Sequence, residues 1–190
     1  RRYTGFASAP EMKKEEPYWL MLEPESLRTV TNGEVFYDPS GVFTERQNAF
    51  RFYPRTVRLK RLAAALASMA QAGQYNFARM KKRKDTGAAF LAFSAFIDQT
   101  IAAAFLLNHQ YMPFYKWKMR AMDDFICLKE LKGRLEALIT AGPAAETAQQ
   151  QIEEICAMFV NELHRQGITK NNETFLEAQK NEILAKLQRA

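Results

Sequence analysis

The sequence predicts a mainly α protein: a helical bundle of about five to seven helices, preceded by a short β-containing segment. Three observations lead there. Apolar residues recur at helical spacing through most of the chain after residue 44, and only two β-like runs, "YWLML" (18–22) and "EVFYD" (34–38), precede it. The stretch 85–111 is apolar nearly all round, as the central helix of a bundle is. Of the 190 residues 47% are hydrophobic, enough to bury a core and to exclude whole-chain disorder.

Taken in order, residues 1–16 show no periodicity and read as a loop or arm. "PESLRTV" (24–30) between the β-like runs reads as one or two helical turns, with Pro24 at the first position and "TNG" closing it. "DPSG" (38–41) is turn chemistry. "TERQ" (44–47) fits a capping box, with Thr44 bonding forward and Gln47 reaching back. Pro54 interrupts, and a helix from about Arg55 carries Leu59, Leu62, Ala63, Leu66, Met69 and Ala70, with Gly73 ending or weakening it. "QYNFARMKKRK" (74–84) is helical in part.

The helix at 85–111 holds Asp98 and Gln99 at its middle. A clean span of about 20 apolar residues is therefore missing, and a central bundle helix is expected rather than a membrane span. Two further helices follow, one at 127–141 and one after "GP" (142–143) that ends near Gly167, the second with the stripe Ile152, Ile155, Cys156, Phe159, Val160 and Leu163. A last helix carries Leu176, Ile183, Leu184 and Leu187. The expected domains are an N-terminal arm with strands over 1–43 and a bundle over 44–190. A β piece this short needs a partner sheet from outside.

The net charge of +6 and pI near 9.3 favour anionic partners without requiring them. Cys127 and Cys156 lie far apart with no Cys-x-x-Cys spacing, so reduced, packed thiols in a cytoplasmic protein are expected. No signal peptide is visible, and the missing initiator Met suggests that Arg1 is not the natural start.

"RMKKRK" (79–84) is either a solvated cationic face or a phosphate-binding rim, with Tyr75 or Phe77 to stack on a ring and Asn76 to add an amide. Asp85 suits a helix N-cap and is the one weak candidate for a general base. Asp98 needs a partner if buried, and Lys118 is the partner we expect. His109 and His164 are isolated, and no metal site is indicated. In "YMPFYKWKMRAM" (111–122), projection at about 100° per residue gathers Phe114, Tyr115, Trp117, Met119, Ala121 and Met122 into a core arc. Lys116 and Arg120 then fall on the open side, Lys118 inside the arc, and Tyr111 at the bend. The candidate substrate-binding residues are Tyr75, Asn76, Arg79, Tyr111, Lys116 and Arg120.

"NGEVFYDPSGVFTERQNAFRFYP", "LASMAQAGQYNFARMKKRKD" and "FLLNHQYMPFYKWKMRAM" together resemble a helical domain family of uncharacterised function that follows a nucleotidyltransferase domain in bacterial proteins. The resemblance spans roughly residues 18 to 170 and rests most on the tyrosine–proline–aromatic–Tyr–Lys–Trp stretch. Asp38, Gln74, Asn76, Arg79, Asp85, Asn108, Tyr111, Pro113, Tyr115, Lys116 and Trp117 match its motifs. "GEVFYDP" is similar to the last strand of the catalytic domain.

The resemblance implies that an upstream domain, on the same or a separate chain, binds a nucleoside triphosphate with Mg²⁺. That domain would transfer a nucleotidyl group to a hydroxyl-bearing small molecule. The helical domain would hold the acceptor and form the other wall of the cleft, much as in aminoglycoside nucleotidyltransferases. These 190 residues contain neither Gly-Ser nor Asp-x-Asp, the pattern that places metal-binding carboxylates, so catalysis by this segment alone is not expected. The competing expectations are an RNA-binding module using residues 79–84 with Lys116 and Arg120, and an interaction module completing a partner's sheet. RNA and a second copy of the chain are therefore kept as further candidate partners.

Overall fold

The structure, a computed structural model, describes residues 4–5, 9 and 12–189. The rest of the expected N-terminal arm lies outside the described residues. The chain folds into α1 (Met12–Met21), α2 (Pro24–Thr31), α3 (Val42–Ala49), α4 (Arg55–Met69), a π-helical segment (Ala70–Phe77) and α5 (Ala78–Lys82). There follow α6 (Thr86–Leu107), the short α7 (Lys118–Ala121) between two 3₁₀ turns, α8 (Leu131–Ala141), α9 (Ala148–Arg165) and α10 (Leu176–Gln188). α4, the π segment and α5 run without a break, and α6 packs along all three. α10 lies on α4, and α9 packs against α8 and the π segment. The mainly helical architecture is as expected.

The β-containing segment is not: no strand occurs among the described residues. "YWLML" falls on α1 and the residue after it, because Trp19 and Leu22, three apart, both turn into the core. Trp19 packs its ring 5.7 Å from Phe50 and 6.4 Å from Tyr53. The end of α1 is capped from outside. Arg61 Nη2 donates to the carbonyls of Trp19 (3.2 Å), Leu20 (2.8 Å) and Leu22 (2.7 Å), the orphan acceptors of a helix C-terminus. "EVFYD" is irregular and pairs with no strand, and Phe36 and Tyr37 point to solvent. Trp19, Leu22 and Leu27 join the same core as α4 and α6.

The capping box at 44–47 is replaced by a longer-range cap. α3 starts at Val42 after Gly41 at φ 69, a left-handed backbone that glycine adopts freely. Asp38 Oδ2 accepts from Thr44 N (2.8 Å) and Thr44 Oγ1 (2.9 Å), and these bonds hold its carboxyl below the ordinary value. Gln47, released from the box, donates to the carbonyls of Val30 and Gly33 and so ties α3 to the end of α2.

Gly73 neither ends nor weakens the long helix. It sits inside the π segment where α6 and α9 come closest: a Cβ there would lie 2.3 Å from Phe96 Cδ2 and 2.9 Å from Ile152 Cγ2. Next to it, Gln74 accepts from the backbone N–H of Leu176 (2.9 Å) and donates to Glu153 and to the Thr174 carbonyl, which fixes the start of α10.

α6 is long and apolar enough to cross a membrane by length and composition, and half of its most apolar stretch is buried in the bundle. It begins as expected, with Asp85 accepting from Ala88 N at 2.9 Å. It ends in a Schellman turn, in which His109 takes φ 54 and Gln110 N donates to the Phe105 carbonyl at 3.0 Å. The end of α9 is bound to it there. Glu162 takes a two-pronged contact from Arg165 (2.7 and 2.8 Å) and a bond from Gln166, whose amide also donates to the Leu107 carbonyl. Both cysteines are free and buried, and burial pushes Cys127 up to about 12, so it is held as a thiol.

Two measurements check this packing. Gly73→Ala should lower the stability of the chain by about 1–3 kcal/mol in urea denaturation, because Phe96 and Ile152 must both move. Burial raises the Glu162 carboxyl, but the bonds from Arg165 and Gln166 outweigh it, and the carboxyl titrates below its ordinary 4.5. Its stabilisation is therefore complete above about pH 4.5 and fades as pH falls through the lowered value. Glu162→Gln should then flatten the loss of Tm between about pH 5 and pH 3 relative to the parent chain.

Candidate functional site

The chain after α6 builds a surface groove, and Asn108 positions it. Its side-chain oxygen accepts from the backbone N–H groups of Ile126 (2.8 Å) and Cys127 (2.9 Å), while its amide donates to the carbonyls of Cys127 (3.2 Å) and Ala104 (3.0 Å). That set uses every hydrogen-bonding site the side chain can offer to the loop and helix end. Tyr111, three residues on, is buried, and its hydroxyl donates to the Phe50 carbonyl at 2.8 Å. Burial raises its pKa above the ordinary phenol value, so the hydroxyl stays protonated and remains a donor. Residues 112–121 are thereby suspended between two anchored points. They face α2 across a groove of about 870 Å³, lined by Glu25, Ser26, Arg28, Thr29, Asn32 and Gly33 on one side. The other side is Pro113, Phe114, Lys116, Trp117 and Ala121.

The expected core arc of 114–122 is overturned in its first half. Phe114, Tyr115 and Trp117 are 55%, 72% and 48% exposed, whereas Met122 is buried and Met119 and Ala121 pack against the core. The projection assumed one continuous helix. In the structure residues 110–114 have no regular secondary structure, a 3₁₀ turn covers Tyr115–Trp117, and α7 begins only at Lys118, so the aromatic positions follow a different periodicity. Lys116 and Arg120 both lie over the Trp117 ring, each 5.8 Å from its centroid, giving the groove a cation-flanked aromatic plane.

The expected partner of Asp98 is the observed one, with the burial reversed. Lys118 Nζ meets Asp98 Oδ1 at 2.5 Å, and the lysine is the sheltered member, 12% exposed against 53% for the aspartate. This pair holds α7, and with it the groove wall, against α6.

The other predicted residues go elsewhere. Tyr75, Asn76 and Arg79 lie on the π segment and α5 and do not line this groove; Arg79 stacks on the exposed Tyr75 ring at 4.7 Å. Lys81 is engaged with the Ala145 carbonyl at 2.6 Å. Asp85 is occupied as the α6 cap. Tyr111 is buried in the core and bonded to Phe50. Ser26 and Arg28 of α2 and Asn32 just beyond its end escaped the sequence reading, because a short helix beside presumed strands offered no periodic signal. No cluster of metal-ligating side chains occurs among the described residues.

An outcome distinguishes the Lys118–Asp98 pair from an incidental surface contact. Asp98→Asn leaves the sheltered ammonium without its counter-charge and should cost about 1–3 kcal/mol of unfolding free energy. Lys118→Met removes charge and demand together and should cost no more than about 1 kcal/mol.

No curated protein and no solved structure matches the chain. A family model does, over residues 19–118, a span that runs from the buried Trp19 of α1 to the groove wall at Lys118 and includes Asn108 and Tyr111. The chain belongs to the family described as Domain of unknown function (DUF4037).

Proposed function

We propose that this chain is the substrate-binding helical domain of a nucleotidyltransferase, and that the groove between α2 and residues 113–121 is one wall of its substrate cleft. The observation that carries this reading is the make-up of that groove. A half-exposed indole with two cations against it suits a ring-bearing or phosphate-bearing ligand, and Arg28 adds a cation from the opposite wall. Ser26 and Asn32 supply neutral polar groups toward hydroxyls, and Glu25 supplies the one carboxylate of the lining.

The catalytic half would come from a preceding domain, which brings the nucleoside triphosphate and the Mg²⁺ that bridges its phosphates. The protein surface next to the groove supports such a neighbour. Immediately after Gly33 the loop exposes Phe36 and Tyr37 at 91% and 86%, and Phe43 follows on α3. Exposed aromatics gathered in one short segment are the kind of surface that a packed domain covers. The same residues support the second reading, a protein-interaction module without catalysis. Here the role of this chain is to bind, orient and shield the acceptor, while bond making belongs to its neighbour.

The test is titration of the chain with Mg²⁺–nucleoside triphosphates, hydroxyl-bearing small molecules and short RNAs, read by Trp fluorescence and thermal shift. Trp19 is buried, so quenching reports on Trp117. The expected result is saturable small-molecule binding that Trp117→Ala and Lys116→Ala each weaken by about tenfold, about 1.4 kcal/mol. RNA binding with a steep salt dependence and no small-molecule binding would overturn the reading in favour of a nucleic-acid module.

A further inference from the structure

The charge along the groove is uneven and unpaired. Arg28 on the α2 wall and Lys116 on the opposite wall form no ion pair and no side-chain hydrogen bond among the described residues. The same holds for Arg120 beside the Trp117 ring. Elsewhere cations meet carboxylates: Lys60 binds Glu16, Lys132 binds Asp123 and Arg134 binds Glu154. Arg28 is the most telling of the three. It is half-buried on the last turn of α2, where its charge suits the helix dipole, yet its guanidinium nitrogens have no protein acceptor and stay open to solvent. Against these cations stands the carboxylate of Glu25, also without a partner among the described residues. The groove thus carries an excess of two positive charges.

That excess decides which hydroxyl-bearing molecules fit. A polycation of the aminoglycoside type would bring ammonium groups toward Arg28, Lys116 and Arg120, with Glu25 alone to offset them. A neutral sugar would meet Ser26 and Asn32 but leave the cations unanswered. A carboxylate brings one charge. A phosphate monoester brings about −1.5 to −2 near pH 7 and three acceptor oxygens, which matches the excess and suits both an arginine fork and a lysine point charge.

Resting on the reading of this groove as a wall of the substrate cleft, we propose that the acceptor is a phosphate monoester on a hydroxylated ring, of the sugar-phosphate class. The ring rests against Trp117 and Phe114, the phosphate lies in the field of Arg28, Lys116 and Arg120, and Ser26 and Asn32 face the hydroxyls. Polycations are excluded by the same field. Phosphate could also come from the nucleotide donor, so the probes separate the two sources.

The experiment titrates the full chain at about 50 mM salt, where screening is modest, and reads binding by calorimetry and Trp fluorescence. The probes are glucose 6-phosphate, ribose 5-phosphate, the two parent sugars, kanamycin and Mg²⁺–ATP. At least one sugar phosphate is expected to bind with Kd of about 1 mM or tighter, its parent sugar and kanamycin at least tenfold more weakly. Arg28→Gln and Lys116→Gln should each weaken that binding about tenfold while the Tm holds, since neither charge has a protein partner among the described residues. Arg83→Gln, in the exposed basic run outside the groove, should leave it unchanged. Equal binding by kanamycin or a parent sugar would overturn the proposal, and if Trp117→Ala weakens that binding the groove reading still stands. Sugar-phosphate binding that Arg83→Gln abolishes and Arg28→Gln spares would overturn it by moving the phosphate to the basic run. Mg²⁺–ATP binding about tenfold more tightly than either sugar phosphate, and lost in Arg28→Gln, would assign the cations to the donor and overturn it as well. No binding by any of these molecules would overturn the proposal and the groove reading together.

Discussion

The way α6 stops governs everything on the groove side of the molecule. An apolar helix of 22 residues has no interior polar signal to end it, so the end must come from bonds made beyond it. Asn108 supplies them by standing in for a backbone: one side-chain amide meets two N–H groups and one carbonyl of the loop at Ile126–Cys127. With His109 in the left-handed region the chain reverses, and Tyr111 is drawn into the core by its bond to Phe50. Gln166 closes the arrangement from α9 through the Leu107 carbonyl. The aromatics between these anchors stay largely exposed, with contacts among themselves and to Lys116 and Arg120 rather than to the core.

A second constraint sits against the middle of α6. Gly73 lets the π segment approach α6 and α9 within a distance that no other residue permits. The adjoining Gln74 then binds the first backbone amide of α10. Close approach and capping come from neighbouring residues, so the register of the long helix and the position of α10 are set together. A shift of one residue would lose both.

The electrostatics are local rather than global. Despite a net charge of +6, cations at structural positions are engaged singly: Arg61 by helix-end carbonyls, Lys118 by Asp98, Lys81 by a loop carbonyl. The basic run at 79–84 thus contributes in part to structure. Lys116 and Arg120 meet the Trp117 ring, an interaction that leaves their N–H groups free to turn toward a ligand.

The helical class, the starts of α4 and α6, the buried stripe of α9 and the Asp98–Lys118 pairing were all legible in the residues, because each rests on short-range periodicity, capping or a single charge inside an apolar run. The candidate site was legible only in part. Lys116 was found by its position outside an apolar arc, but the arc itself was drawn on a helix that the chain does not form at 114–117. Trp117 was placed in the core for that reason. "YWLML" reads as a strand in isolation and is a helix because α4 offers a surface to Trp19 and Leu22 together and Arg61 to cap it. Helical periodicity and caps are properties of neighbours in sequence, and the sequence by itself determined them. Which face meets which, where α6 ends, and which side chains line the groove depend on contacts between residues tens of positions apart, and only the tertiary structure decided them.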